Sequence, residues 1–238
     1  MIVMEVKTIR INAYLANLGL CSRREADVFI ARGLVTINGR KAKLGDKVNP
    51  GDKVELNDKR PEPKYYVAYH KPVGVVTHSP VDDEVEISDL YKFKTRLSPV
   101  GRLDKNSHGL IILTNDGRVV KHLLSPEEHK EKEYMVRVDE HITPSFLRRM
   151  AEGMPLEDGE KTKPAKTQMV SDKSFRIVLT EGKHHQIRRM CAISGYRVLE
   201  LCRTRIMDIR LGSLKSGEGR ELKDAELKKF LKNLGIEK

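Results

Sequence analysis

The sequence has few cysteines and no long hydrophobic run. Cys21, Cys191 and Cys202 are far apart and form no CxxC pair, which argues against a disulfide framework and against a thiolate metal site. No segment approaches the roughly 18 consecutive apolar residues of a membrane span. The first ten residues also lack the apolar run and the small-residue cleavage site of a secretory signal. We therefore expect a cytoplasmic protein with packed thiols and no membrane association.

Positive charge is what the sequence has in excess. The 238 residues include 45 Lys and Arg against 34 Asp and Glu, a formal net charge of +11. The excess is spread along the chain, so no single basic tail accounts for it. Lys and Arg that contact phosphates release condensed counterions, which favours a polyanionic partner. On charge alone, a basic protein without such a partner is an equally good interpretation.

The first 57 residues predict a compact ααβ unit. Apolar residues at helical spacing predict a first helix over about residues 11–18. Ser22 and Glu25 form a capping-box pattern at the start of a second helix. Asn38-Gly39 then marks a tight hairpin turn between short strands. A unit of this size rarely folds alone, so it is expected to accompany a larger domain.

The charged, proline-containing segment 59–64 predicts a linker, which divides the chain into domains 1–62 and 63–238. From Tyr65 onward, strand patterns are interspersed with amphipathic helices, which predicts an α+β fold. The strands are predicted at 110–114, 133–138 and 174–180, and the helices from Asp116, from Thr143, over 185–194 and over 224–235.

Two polar residues of the larger domain, Asp104 and Tyr134, are candidates for an active site. Asp104 lies in the loop SPVGRLDKNSHGL, which leads directly into the apolar strand at 110–114. A loop that a buried strand anchors can present a reactive carboxylate in a fixed position, although an Asp in a polar loop is more often a turn or cap residue. Tyr134 lies on one face of the strand KEYMVRV, where a core tyrosine is the alternative.

Arg188 and Arg189 lie in the segment EGKHHQIRRMC, within the first turn of a predicted helix. Cations at a helix start oppose the helix dipole, so the position calls for a compensating anion. That anion is either a carboxylate from elsewhere in the fold or a phosphate of a substrate, and we count Arg189 among the candidate RNA-binding residues.

Five segments resemble those of one enzyme family, the RsuA-type pseudouridine synthases, in the family's order. The catalytic-aspartate, tyrosine and arginine motifs are matched by GRLDKNSHGLIILTNDG, KEYMV and HQIRRM. The segment that opens the catalytic domain is matched by KPVGVVT, and an S4 RNA-binding domain by RINAYLANLGLCSRREADVFIARGLVTINGRKA. The resemblance covers nearly the whole chain, and the tail CRTRIMDIRLGSLKSGEGREL is most similar to the RluF/RluB branch.

The resemblance implies a small S4 domain followed by a catalytic domain with a central, mostly antiparallel sheet of two similar halves, and a cleft that holds Asp104. It also implies isomerisation of uridine to pseudouridine in RNA, a reaction that requires no metal and no cofactor. Asp104 would attack the sugar or the base as a nucleophile, or remove the 2′ proton as a base, and the sequence leaves these routes open.

The same resemblance implies roles for three neighbours of Asp104. Arg188 is expected to keep the carboxylate ionised in a closed cleft, because desolvation disfavours the charged form. Tyr134 is expected to stack on the target base. The base must be extruded from its stack to reach the cleft, and Arg102 is positioned to help fill the gap that it leaves.

The S4-like part is expected to bind phosphates of folded RNA. Its candidate residues are Arg10, Asn12, Arg23, Arg24, Arg40 and Lys41. The branch resemblance indicates large-subunit (23S) ribosomal RNA as the partner, while small-subunit (16S) ribosomal RNA and transfer RNA stay open. A monomer is the simplest expectation for an enzyme that grips one RNA with two domains of its own.

The main alternative is a non-catalytic RNA-binding or ribosome-associated protein, and the presence of Asp104, Tyr134 and Arg188 together argues against it. Other RNA enzymes fit less well. The sequence has no GxGxxG for a nucleotide cofactor and no HxE with PCxxC for a zinc deaminase. His184 and His185 are adjacent, which is not a metal-ligand spacing, so they are expected to face RNA or to pack.

Overall fold

A computed structural model describes residues 8–57, 63–125 and 127–236. The predicted linker at 59–64 and the boundary at 62 fall mostly outside the described residues. On either side of it, helices and strands are mixed as the sequence predicts for an α+β fold.

The N-terminal unit contains the predicted pair of helices and a hairpin. Both hydrogen bonds of the predicted capping box are present, since the Ser22 hydroxyl accepts from the Glu25 backbone and the Glu25 carboxylate accepts from the Ser22 backbone. Asn38 and Gly39 form the hairpin turn with positive φ values of 51° and 79°. The elements are β1 (Ile9–Arg10), α1 (Ile11–Asn17), α2 (Arg23–Ala31), β2 (Val35–Ile37), β3 (Arg40–Lys41), β4 (Lys47–Val48) and β5 (Val54–Leu56).

The larger part begins at β6, and its predicted helices are confirmed. Asp116 and Thr143 cap two of them by accepting backbone hydrogen bonds, as their positions indicate. Among the described residues, none of the helices has the length and apolar character to cross a membrane. The elements are β6 (Tyr66–Lys71), α3 (Ile87–Leu90), β7 (Ser98–Val100), β8 (His108–Thr114), α4 (Gly117–Leu124), β9 (Lys132–Val138), α5 (Pro144–Glu152), β10 (Lys166–Ser171), β11 (Ser174–Leu179), α6 (Gln186–Ile193), β12 (Val198–Ile206), β13 (Ile209–Arg210), β14 (Gly219–Glu221) and α7 (Asp224–Asn233).

The central sheet has the order β10-β11-β9-β12-β8-β6-β14. Only the pairing of β12 with β8 is parallel among the described strands, so the mostly antiparallel sheet is confirmed. This parallel pair is the seam between two groups of strands. Each group has its own hydrophobic core: α5 and α6 cover the β9 side, and α4 and α7 cover the β8 side. The cores include Phe146, Met150, Phe175 and Met190 on the first side, and Leu110, Ile112, Leu123 and Phe230 on the second.

The backbones of β8 and β12 approach each other closely at Gly109. Gly109 has a φ of +112°, and a Cβ at this position would lie 2.4 Å from the Arg203 carbonyl oxygen. Only glycine fits there without a shift of the strands. The contact therefore fixes the start of β8, and with it the loop of Asp104, against β12.

The cysteines are packed thiols, as the sequence predicts. Cys21 and Cys191 are buried, and Cys202 is partly buried. Burial raises the pKa of Cys21 to about 11 and that of Cys191 to about 12, which disfavours the reactive thiolate.

Candidate active site

A cavity of about 850 Å³ opens where β9, β12 and the loop before β8 meet. Asp104 and Tyr134 both line it, together with Arg102, His185 and Arg203. The structure thus brings the predicted aspartate and tyrosine into one site, although they lie 30 positions apart in the chain.

The loop of Asp104 is held by hydrogen bonds to its backbone. The Thr77 hydroxyl donates to the Leu103 carbonyl at 2.8 Å and accepts from the Leu103 amide at 3.0 Å. The Gly74 amide donates to the Lys105 carbonyl at 2.8 Å. The residues on both sides of Asp104 are therefore fixed by the segment after β6, while the Asp104 side chain is 31% exposed to the cavity.

Arg188 contacts the same loop rather than the carboxylate. Its guanidinium donates to the Asn106 carbonyl at 2.9 Å, to the Ser107 hydroxyl at 3.2 Å and to the Val198 carbonyl at 3.3 Å. Within the described part of the chain, Arg188 makes no ion pair with Asp104. The direct pairing expected from the motif is thus not the arrangement in this structure, because the guanidinium is occupied by the loop and by β12.

His185 is the side chain that pairs with Asp104. Its Nε2 lies 3.6 Å from the Asp104 carboxylate, an ion pair when the imidazole is protonated. His185 has a left-handed backbone with a φ of 49° just before α6, and its ring stacks on His184 at 3.9 Å between centroids. The sequence showed only two adjacent histidines, and the close approach of His185 to Asp104 depends on the tertiary fold.

Tyr134 is partly buried on β9 and packs at the border of the core formed by α5 and α6. Its strand partner on β12 is Arg203, and its partner on β11 is Ile177. Central strands on both sides hold the ring at the cavity in a fixed position.

Lys71 is a fully buried cation behind the site. Its ammonium donates to the carbonyls of Pro72 at 2.7 Å and Val75 at 2.6 Å. Burial lowers the pKa of Lys71 to about 8; the Asp104 carboxylate opposes this shift and Arg203 adds to it. Lys71 therefore places positive charge near Asp104 while it holds the turn after β6.

Arg203 is a second buried cation and is only 3% exposed. Its Nε donates to the Leu110 carbonyl at 2.6 Å, and one Nη donates to the Arg102 carbonyl at 3.3 Å. It has no carboxylate partner in the described residues, and its other Nη makes no protein hydrogen bond there. Arg203 thus connects β12 to the residue two positions before Asp104 and leaves the cavity floor positive.

Lys132 is a third cation of the site; it is partly buried and lies on the same side of β9 as Tyr134. The hydrogen bond described for its ammonium goes to the Lys130 carbonyl at 3.2 Å. Burial, with Arg203 nearby, lowers the pKa of Lys132 to about 8. The folded protein therefore keeps a charge on Lys132 at neutral pH at a cost in stability.

Replacing Lys132 with Met is expected to raise the free energy of unfolding at pH 7, by on the order of 1–3 kcal/mol, because no ammonium then has to be desolvated. The destabilising contribution of Lys132 is complete below its folded pKa of about 8 and disappears as the pH rises toward its ordinary value of 10.5. Urea denaturation should therefore show a gain at pH 7 that shrinks by pH 10. An equal gain at both pH values would contradict this cause, and Lys121→Met serves as an exposed control.

The other predicted RNA-binding residues of this part differ in their surroundings. Arg102 is exposed and lines the cavity, as its expected role requires. Arg189 is occupied, since its guanidinium pairs with Glu157 at 2.8 Å and with Asp158 at 2.6 Å. The compensating anion near the start of α6 is thus a carboxylate pair, which does not favour a phosphate contact for Arg189.

The candidate residues of the N-terminal unit also divide into two groups. Asn12 donates to Asp27 at 2.9 Å, and Arg40 pairs with Asp46 at 2.8 Å, so both have partners within the unit. The remaining four are exposed and have no carboxylate partner in the described part of the chain: Arg10, Arg23, Arg24 and Lys41.

The two parts of the chain match two known families. A model described as RNA pseudouridylate synthase matches residues 65–193, and a model described as S4 domain matches residues 9–54. An S4 domain joined to a domain whose cavity is lined by Asp104 is the organisation of an RNA-modifying enzyme with a separate RNA-binding domain. The chain belongs to the RNA pseudouridylate synthase family, and the resemblance seen in its motifs is confirmed.

Individual relatives agree with this family. The dual-specificity RNA pseudouridine synthase RluF of Escherichia coli K12 is 44% identical over 225 residues, which cover 92% of this chain and 77% of the relative. The ribosomal large subunit pseudouridine synthase B of Bacillus subtilis 168 is 35% identical over 233 residues, which cover 93% and 95% of the two chains. A crystal structure of a pseudouridylate synthase is 33% identical, with a TM-score of 0.71 over 93% of this chain and 99% of that one.

Proposed function

We propose that this chain isomerises uridine to pseudouridine in large-subunit ribosomal RNA, with Asp104 as the catalytic carboxylate. The observation that carries the proposal is the position of Asp104: hydrogen bonds to the backbone of its neighbours Leu103 and Lys105 hold it beside a cavity that Tyr134 also lines. The relative named for the large ribosomal subunit supports the substrate. Small-subunit ribosomal RNA and transfer RNA are the alternatives.

The chemistry requires one carboxylate in a fixed place. The bond between N1 and C1′ breaks, the uracil turns, and C5 forms the new bond to C1′. C5 then loses its proton and N1 takes one up, so the product is an isomer of uridine. Asp104 acts either as a nucleophile toward the sugar or the base, or as a base toward the 2′ proton. In each route negative charge develops on the uracil, and Lys132 and Arg203 line the same cavity and supply positive charge.

Tyr134 and Arg102 fit the handling of an extruded nucleotide. The Tyr134 ring is held by strands on both sides, so it offers a rigid face on which the base can stack. Arg102 is exposed at the cavity two residues before Asp104, where its long side chain can occupy the space that the base vacates. Arg188 positions the loop by binding Asn106 and Ser107.

We also propose that the enzyme acts as a monomer in the cytoplasm. The cavity residues and the N-terminal unit come from one chain, so one copy supplies both catalysis and RNA binding.

Release of tritium from RNA labelled at C5 of uridine tests the proposal, because C5 loses its hydrogen when it joins C1′. Purified protein should release tritium from transcribed large-subunit ribosomal RNA, and transcripts of small-subunit ribosomal RNA and transfer RNA serve as comparisons. If no tritium is released from either ribosomal transcript or from transfer RNA, the proposed activity is wrong. Release from one of the alternatives alone would contradict the substrate.

Thr77→Val is expected to lower kcat roughly 10- to 100-fold with little change in KM, because a loop displaced by about 1 Å no longer aligns Asp104. Valine keeps the shape of threonine but loses both hydrogen bonds to Leu103. Thr77→Ser retains the hydroxyl and should restore most of kcat. If Thr77→Val lowers thermal stability but leaves kcat unchanged, Thr77 does not position the catalytic loop.

A further inference from the structure

A second cavity, of about 890 Å³, lies between α2 of the N-terminal unit and the segment 91–99 of the larger part. We call it the interdomain groove. Thr77, His78 and Ser79 line both this groove and the cavity of Asp104. The two spaces are therefore adjacent, and a strand that leaves the Asp104 cavity past these residues enters the groove.

One side of the groove carries a row of cations. Lys92, Lys94 and Arg96 are exposed, whereas the alternating residues Tyr91 and Phe93 are partly buried and pack on the core beneath. This alternation places three positive side chains on the solvent side of one short segment. The Lys94 ammonium also lies 4.0 Å from the centre of the Tyr65 ring, which supports the segment from below.

The opposite side of the groove carries two more cations, Arg23 and Arg24, in the first turn of α2. Both are exposed. No carboxylate pairs with any of the five groove cations in the part of the chain that the structure describes. Glu86 is the acidic residue in the lining; it precedes α3, and its carboxylate accepts a hydrogen bond from the Ser88 hydroxyl. The groove therefore has a net positive charge that the described residues do not neutralise.

Packing between the two parts holds the sides of the groove in place. Gly19, two residues after α1, lies so close to Arg118 of α4 that a Cβ would be 2.2 Å from the Arg118 Cδ. Arg118 is itself fixed by ion pairing with Asp116, at 2.8 Å, and Asp116 accepts from the Tyr66 hydroxyl at 2.7 Å. The position of Arg23 and Arg24 relative to the other side is thus built into the fold.

We propose that the interdomain groove binds the RNA strand that continues from the target nucleotide, with its phosphates between the cations of the two sides. The inference rests on the proposed function, since a uridine placed at Asp104 determines where its strand must leave. Phosphate contacts of this kind position the RNA and carry most of the affinity, whereas the base pocket carries the chemistry.

The test compares two triple variants that remove the same charge. Lys92→Gln, Lys94→Gln and Arg96→Gln neutralise one side of the groove. Lys228→Gln, Lys232→Gln and Arg148→Gln are the matched control, because these residues are exposed on α7 and α5 and line neither cavity. Thermal melting verifies that both variants fold. Binding of transcribed large-subunit ribosomal RNA is measured from 50 to 300 mM salt, and kcat is measured at saturating RNA.

The groove variant should bind about 10- to 100-fold more weakly than the control, with a salt slope lower by about 2, as expected for three lost contacts to a single strand. Its kcat should be unchanged, because the lost phosphate contacts stabilise the bound RNA and the transition state equally. Arg23→Gln with Arg24→Gln should weaken binding in the same way. Binding equal to the control, or a lower kcat with unchanged affinity, would overturn the inference. Wild-type protein that binds RNA without releasing tritium would refute the proposed function and leave the groove to be judged by affinity alone.

Discussion

Asp104→Asn is expected to reduce pseudouridine formation by roughly 10⁴-fold or more, to the level of the background. An amide is neither a nucleophile toward a sugar or base carbon nor a base for a 2′ proton, so every route open to the carboxylate is lost. The fold should be unaffected. The loop is held through the backbone of Leu103, Lys105 and Asn106, and none of these hydrogen bonds uses the Asp104 side chain.

The variant is measured by tritium release in single-turnover reactions and by RNA affinity. Asp172→Asn is the control, because this carboxylate is 84% exposed and lies outside the cavity. Asp104→Asn should bind RNA about as tightly as the control and melt at a similar temperature. Pseudouridine formation by pure Asp104→Asn protein, at a rate near that of the control, would show that another group is the catalytic carboxylate.

Gly109→Ala is expected to destabilise the larger part by on the order of 4 kcal/mol, or to prevent its accumulation as folded protein. The added Cβ would lie 2.4 Å from the Arg203 carbonyl oxygen and 2.6 Å from its amide nitrogen, so β8 and β12 would have to separate. A φ of +112° adds strain, because residues with a Cβ rarely adopt it.

Urea denaturation measures this effect against Gly159→Ala. Gly159 also has a positive φ, of 81°, but no atom lies within 4 Å of its virtual Cβ. The control should therefore cost only about 1 kcal/mol, the price of the backbone conformation. If the two variants differed by less than about 1 kcal/mol, the contact at the seam would not be what holds β8 and β12 in register.

The elements with strong local signals could be predicted from the sequence. The capping box at Ser22, the turn at Asn38-Gly39 and the helix from Thr143 each follow from residues close in the chain, and each is confirmed. Asp104 and Tyr134 could also be selected, because their motifs resemble a family whose membership is now shown.

The central strand β12 could not be predicted from periodicity. Its inward positions include Arg203, and its neighbour Arg205 pairs with Glu131 and Glu133, so charged residues conceal the strand pattern. Sequence propensities do not distinguish a buried arginine from an exposed one. Only the tertiary structure shows that two of the three guanidinium nitrogens of Arg203 donate to carbonyl oxygens.

The side chain that pairs with the Asp104 carboxylate could not be predicted from the sequence either. Arg188 was expected to pair with it, but this guanidinium binds the loop backbone, and His185 pairs with the carboxylate instead. The choice depends on the left-handed backbone of His185, which no local pattern indicated. Electrostatic support for the site comes from Lys71, Lys132 and Arg203, which are brought together by three separate segments.

The most direct test of the central claim is a map of pseudouridines in ribosomal RNA from cells that lack this chain, complemented with the wild-type gene or with Asp104→Asn. The account predicts that at least one pseudouridine in large-subunit ribosomal RNA is absent without the chain, returns with the wild type and does not return with Asp104→Asn. A map that is identical in all three strains, or a site that Asp104→Asn restores, would contradict it.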